Sequence, residues 1–369
     1  MQAGEQKQLV SLLDELSKAV EELILAGLTA ASKSTVERLD VSFKEASRMK
    51  LLRLGSTLRI ANEEIARFNS GSEQFSARRF VFFLGRAWLL ASAMRRAIET
   101  NDEESLNRLQ VTPTPQPVEK LKVVTLGVAK RVVPGAFASF DFRLRALGAS
   151  GPVADKEPLI WSCVFPLRKD LDLPAEAFLH LPQKQKFKPS VLLEKKVAEV
   201  TKCAVSTPAE GAKRLTFGDA STVTTSETFT EWQSLWGWDM RRAAERLERH
   251  RPSPIDLEIE LQEEVFVSDW QPGEQRETDD GYDLLPIETR LLPFEVRLDR
   301  GPSGVPVRDA MMKMAENEQR PPIYGVAHYE SCRVVLQPLS TLNDGGIEYL
   351  TVSPDNISQA ELVKAMKFT

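Results

Sequence analysis

The segment Val111-Thr-Pro-Thr-Pro-Gln-Pro-Val118 decides the fold class of this 369-residue chain, because the spacing of apolar residues changes across it. Three prolines at alternate positions forbid a helix and favour an extended, semi-rigid linker. Before it, apolar residues recur at helical steps; after it they alternate as in strands. The chain therefore reads as α+β and multidomain: a helical bundle over 1–110, a linker over 111–118, a β-rich domain over 119–226 and an acidic α+β region over 227–369. The sequence leaves open whether the last region stands alone or packs with the middle domain as one unit.

On the helical side, Leu9, Leu12, Leu13, Leu16, Val20, Leu23 and Ile24 predict a first amphipathic helix within residues 6–30. Ser34-Thr-Val-Glu37 has the spacing of a capping box and predicts the start of a second helix. That helix is expected to run to about Phe68 with a bend at Gly55, carrying a 3-4 seam through Leu51, Leu54, Leu58, Ala61, Ile65 and Phe68. Asn69-Ser-Gly-Ser72 is a turn, with Ser72 as the expected cap of the next helix. Phe80 to Met94 is the most apolar run in the chain, interrupted only by Gly85, Arg86 and Ser92. As a helix it would reach about 22 Å, short of the ~30 Å hydrocarbon core of a bilayer. With Arg86 at mid-depth it reads as the central helix of a soluble bundle. A short helix from Asp102 to Leu109 completes the domain.

On the strand side, Leu121–Ala129, Ala136–Leu147, Leu159–Phe165, Val191–Val200 and Arg214–Phe217 are expected strands, with Val133-Pro-Gly-Ala136 as a turn. Short strands joined by Gly/Pro turns predict a barrel or sandwich, and an OB-like barrel is the first expectation. Thr228 to His250 returns to helical spacing, and its basic end complements a helix dipole. Ile255-Asp-Leu-Glu-Ile-Glu-Leu261 alternates as a strand with an acidic face. Further strands are expected at Arg290–Leu298 and Ile323–Leu336, a hairpin around Asn343-Asp-Gly-Gly346, and a last helix from Ser353 to Lys367. No fixed-period repeat is visible.

Composition and charge bound the function. With 42 % hydrophobic and 27 % charged residues the chain is an ordinary soluble protein rather than a disordered or membrane one. Cys163, Cys203 and Cys332 are odd in number and widely spaced, and no secretory signal opens the chain. The protein is therefore expected to be cytoplasmic, with buried thiols. The net charge of −5 is segregated: +1 over 1–112, +6 over 113–226 and −12 over 227–369.

Catalytic and metal-binding signatures are absent from the linear sequence. His180, His250 and His328 lack a His or Cys at zinc-ligand spacing, apart from Cys332 four residues after His328, which reads as a buried thiol. There is no Gly-x-Ser-x-Gly elbow, phosphate loop or dinucleotide fingerprint. No catalytic residue, cofactor or metal is expected. The stretch with nucleic-acid character is Gln183-Lys-Gln-Lys-Phe-Lys188, where Lys184, Lys186 and Lys188 alternate beside Phe187. In an extended strand those lysines would form a cationic comb next to an aromatic, the ingredients of a single-strand groove. Lysines on an edge strand also serve to deter unwanted pairing.

These observations favour a non-enzymatic protein-interaction subunit of a cytoplasmic assembly, with protein partners and no membrane association. A single-stranded nucleic-acid-binding protein using the β-barrel is the alternative. An enzyme whose site converges only in three dimensions is the second.

Overall fold

A computed structural model describes all residues except 1–2, 73–74, 111–113, 134–136, 168–172, 183–185, 208–211, 238, 250–254, 256–261, 279–281, 302–303, 331–332, 344–345, 354–356, 359–360, 363–364 and 366–369. The chain divides into two compact units, Met1–Pro113 with Pro252–Asp256, and Thr114–Arg251 with Leu257–Thr369.

The first unit is a bundle of α1 (Ala3–Ala26), α2 (Lys33–Arg48), α3 (Leu52–Asn69) and α4 (Ala77–Glu99), followed by the short α5 (Glu103–Gln110). The first predicted stripe supplies Leu9, Leu12, Leu13, Leu16, Val20 and Leu23 to its core, and the second supplies Leu51, Leu54, Leu58, Ala61 and Ile65. Three expectations are corrected. The cap of α2 is Ser32, whose extended backbone lets its Oγ accept from Thr35 N at 3.1 Å, so the chain turns two residues earlier than Ser34. The bend near Gly55 is instead a break before α3, where Lys50 takes a left-handed φ of 58°. The cap of α4 is Ser76 rather than Ser72, and Ser76 N in turn donates to the buried Glu64 carboxylate at 2.9 Å.

Arg86 lies inside the bundle at 3 % exposure. Its Nε donates to the carbonyl of Ile255 at 2.7 Å and its Nη1 to Thr57 Oγ1 at 3.2 Å. A buried guanidinium is tolerable only when its donors are satisfied. One of those acceptors comes from a residue 169 positions away in the chain. The rest of the strand expected over 255–261 lies outside the described residues.

The second unit opens with a closed five-stranded barrel: β1 (Gln116–Val133), β2 (Phe137–Ala146), β3 (Pro158–Pro166), β4 (Lys196–Ser206) and β5 (Lys213–Thr228). Its order is β1-β2-β3-β5-β4, antiparallel except for the β3–β5 pairing, which is an OB-like Greek key. β1 begins inside the predicted linker, so Pro117 sits on a strand. Residues 189–193 form a 3-10 turn and β4 starts only at Lys196. The helix expected from Thr228 is likewise shorter. Thr228 still pairs with Lys196 in the barrel, and only a 3-10 turn at Trp232–Leu235 and α6 (Met240–Arg249) follow.

The remaining strands are β6 (Glu263–Val267), β7 (Gln271–Pro272), β8 (Arg276–Glu277), β9 (Tyr282–Glu288), β10 (Phe294–Asp299), β11 (Ile323–Glu330), β12 (Arg333–Asn343) and β13 (Gly346–Tyr349). α7 (Val305–Glu316) lies between β10 and β11. The sheet order is β6-β11-β12-β10-β9-β7, with β10 parallel to β12. β6 and β7 stand at its two edges, with β9 antiparallel to β10 and β11 antiparallel to β6 and β12.

β1 joins the barrel to the C-terminal sheet. Its register on β2 slips between Thr125 and Gly127, a bulge that reverses which side chains face inward. Val123 and Val128 face the barrel's core, whereas Val124 and Leu126 belong to a second core with Phe266, Tyr324, Val326 and Leu339. The carbonyls around the bulge are capped by hydroxyls of the C-terminal region. Ser340 Oγ donates to Leu126 O, Thr351 Oγ1 to Val128 O, and Tyr349 Oη to Thr125 O at 3.2 Å. Arg143 and Arg145 on β2 reach Gln262 and Glu264 at 2.9 and 2.8 Å. Tyr324 is fully buried beside them, and burial, reinforced by the Glu264 charge, holds its phenol pKa well above the ordinary value.

Candidate interaction surface

The bundle leaves one end of its α1–α4 face apolar and open. Register between these helices is fixed by Arg95 with Asp14 at 2.6 Å and by Trp88 Nε1 donating to Glu21 Oε1 at 2.8 Å. The facing residues step seven forward on α1 and seven back on α4, so the helices are antiparallel. Beyond that level α1 runs on through Ile24 and Leu25 to its end at Ala26, and α4 carries Val81, Phe82 and Gly85 toward its start. Ile24 is 58 % exposed, Leu25 88 %, Val81 64 % and Phe82 44 %. Single exposed apolar residues need no explanation, but a group of this kind on one face does.

The outer stripe of α4 carries this surface along the helix. Arg78, Phe82, Gly85, Leu89, Ser92 and Arg96 follow at alternating steps of four and three, the spacing of a helix-docking seam. Gly85 is its notch: a Cβ there would find nothing within 4 Å. Arg78 and Arg96, both exposed, close the stripe at either end. They are 18 residues apart, which on a helix is about 27 Å. The N-terminal Leu-rich pattern was legible in sequence as core. Its exposed continuation through Leu25 and Phe82 was not, because one apolar residue at helical spacing looks like another.

The residues singled out for nucleic acid lie elsewhere. Lys184 falls outside the described residues. Lys186 and Lys188 are exposed on the barrel, but Lys186 has a left-handed φ of 62°, so the chain turns there rather than running extended. The Phe187 ring packs 5.6 Å from Trp161 and 4.9 Å from Phe217, in the aromatic cluster at the barrel's end. Among the described residues no group of three or more His, Cys, Asp or Glu is placed to hold a metal ion, and no helix is long and apolar enough to cross a membrane. Cys163 and Cys203 are free and buried, and burial pushes their thiols up to about 12 and about 11.

No protein family and no curated protein matches this chain. Among solved structures it is similar to one described as "Structural mimicry for functional antagonism", with 10% identity and a TM-score of 0.30 over 61% of this chain and 92% of that one. A murine DNA binding protein bound with double-stranded DNA gives 12% identity and a TM-score of 0.26 over 60% and 92%. Tetrameric p202 HIN2 gives 7% and 0.25 over 60% and 89%. Likeness at this level carries no argument about what the present chain does.

Proposed function

We propose that this protein is a non-enzymatic interaction subunit, and that its helical bundle docks a helix of a protein partner along the outer stripe of α4. The observation that carries the reading is the group Ile24, Leu25, Val81 and Phe82, each between 44 and 88 % exposed, whereas Val41 on α2 and Leu52 on α3 are exposed singly. An amphipathic helix laid in such a groove buries apolar anchors against it. Gly85 offers the recess for one such anchor. Arg78 and Arg96 favour a helix with acidic residues near both ends, chiefly through association rate and orientation.

The test is affinity purification of the full chain beside Leu25→Arg and Phe82→Arg, both surface changes that leave the core intact. Proteins retained by the wild type should be lost with either variant while the thermal midpoint stays the same. Affinity for the identified partner should fall more than tenfold, as for a hot-spot residue. Arg78→Glu should act mainly on the association rate and its salt dependence. Unchanged retention by both apolar variants would remove the seam from the function.

A further inference from the structure

The last residues of β1, still paired with β2, and residues of β9, β10, β11 and β12 line a cleft of about 260 Å³. Three basic side chains from three strands line it: Lys130 on β1, Arg297 on β10 and His328 on β11. The guanidinium of Arg297 lies 4.4 Å from the centroid of the Tyr282 ring, and that stacking fixes its plane. Glu176 forms an ion pair with Lys130 Nζ at 2.7 Å, which a bound anion would have to share, and Asp299, also in the lining, accepts the backbone N–H of Gly301 through Oδ1 at 2.7 Å.

We propose that this cleft binds a small phosphate ester, a site separate from the α4 seam. The lysine, arginine and histidine of the lining come from three different strands, β1, β10 and β11. A tetrahedral phosphate offers oxygens in as many directions, whereas a carboxylate offers two in one plane. Charge-assisted bonds to such a dianion are the strong class of hydrogen bond. Val132, Val307, Val335 and Leu336 add apolar wall beside the polar Gln337 and Thr351, which suits the carbon skeleton and hydroxyls of an ester better than a bare ion. The volume holds a phosphorylated sugar but not a longer polymer.

The experiment is calorimetric titration of the full chain at constant ionic strength with ribose 5-phosphate, inorganic phosphate, ribose and sulfate. Saturable binding of ribose 5-phosphate is expected, with inorganic phosphate weaker and ribose silent. Arg297→Gln should weaken it at least tenfold, and Lys33→Gln, on α2 of the bundle, should not. Should Arg297→Gln fail to fold by circular dichroism, His328→Gln supplies the same comparison. Equal binding of sulfate and the ester, affinity unmoved by the cleft variants, or no saturation by either phosphate up to about 10 mM would each overturn the proposal. None of these outcomes bears on the α4 seam.

Discussion

Gly127 tests how tightly β1 is locked to the C-terminal sheet. It sits at the β1 bulge, where a Cβ would lie 2.7 Å from Leu339 Cβ and 3.0 and 3.1 Å from two Tyr324 ring carbons. Leu339 and Tyr324 are both fully buried, and the closest atom is held by backbone rather than by a mobile side-chain end. Real Cβ contacts do not reach that distance, so Gly127→Ala must push β1 away from β12 or displace the tyrosine. Overpacking of this kind costs about 1–3 kcal/mol. For a unit of roughly 250 residues, each kcal/mol lowers the thermal midpoint by about 2–4 °C, so a fall of about 2–12 °C is expected. The matched control is Gly218→Ala on β5, where a Cβ meets nothing within 4 Å. Calorimetry of both variants decides the matter. An alanine at 127 that melts with the wild type would mean that β1 and the C-terminal sheet are not in the contact described.

Three further outcomes follow from the same structure. Arg145 and Glu264 pair at 2.8 Å with side chains only 9 % and 11 % exposed. Glu264→Gln or Arg145→Met alone should therefore cost about 3–5 kcal/mol in urea unfolding, and the Arg145→Met/Glu264→Leu double variant should recover most of it. Cys163 and Cys203 keep their protons up to about 12 and about 11 in the folded state, whereas unfolded thiols ionise near 8.5. Their contribution is intact below that lower value and is lost as pH rises, by about 1.4 kcal/mol per unit per thiol between about pH 9 and 11. Alkylation at pH 8 should leave both unmodified until the protein unfolds. Arg86→Met should destabilise the bundle by about 1–3 kcal/mol by leaving the Ile255 carbonyl without its donor, read as a lower urea midpoint at unchanged m-value.

The helices were legible because each contributes a stripe whose period is set by its own geometry, and Leu9 to Leu23 or Leu51 to Ile65 could face only inward. Their ends were less so. Ser32 and Ser34, or Ser72 and Ser76, offer the same hydroxyl, and backbone conformation decides which one caps. In the second unit the alternation of Phe140, Phe142 and Leu144 showed strand and inner face, but order and closure depend on pairings such as Leu159 with Lys213 that no local pattern encodes. The C-terminal sheet was only partly legible for a related reason: its Pro286 and Pro338 lie on strands, where proline ordinarily argues against one. As for the α4 seam, Phe82 and Leu84 are two residues apart in one apolar run, and only packing separates the exposed ring from the buried side chain.

The bond between Arg86 and Ile255 also has a history in time. The helices of the bundle are all synthesised by residue 110, but the carbonyl that receives Arg86 Nε belongs to a residue made about 140 positions later. At ordinary elongation rates of about 5–20 residues per second, that is a wait of about 7–28 s. Through this interval the newborn bundle must keep a cation in an apolar interior with one acceptor missing, or hold α4 loosely enough for water to reach it. The ribosome therefore delivers the first domain unfinished, and its last stitch is sewn only after the barrel has been translated. A shortened chain ending at the prolines would preserve every helix and stay in that nascent condition.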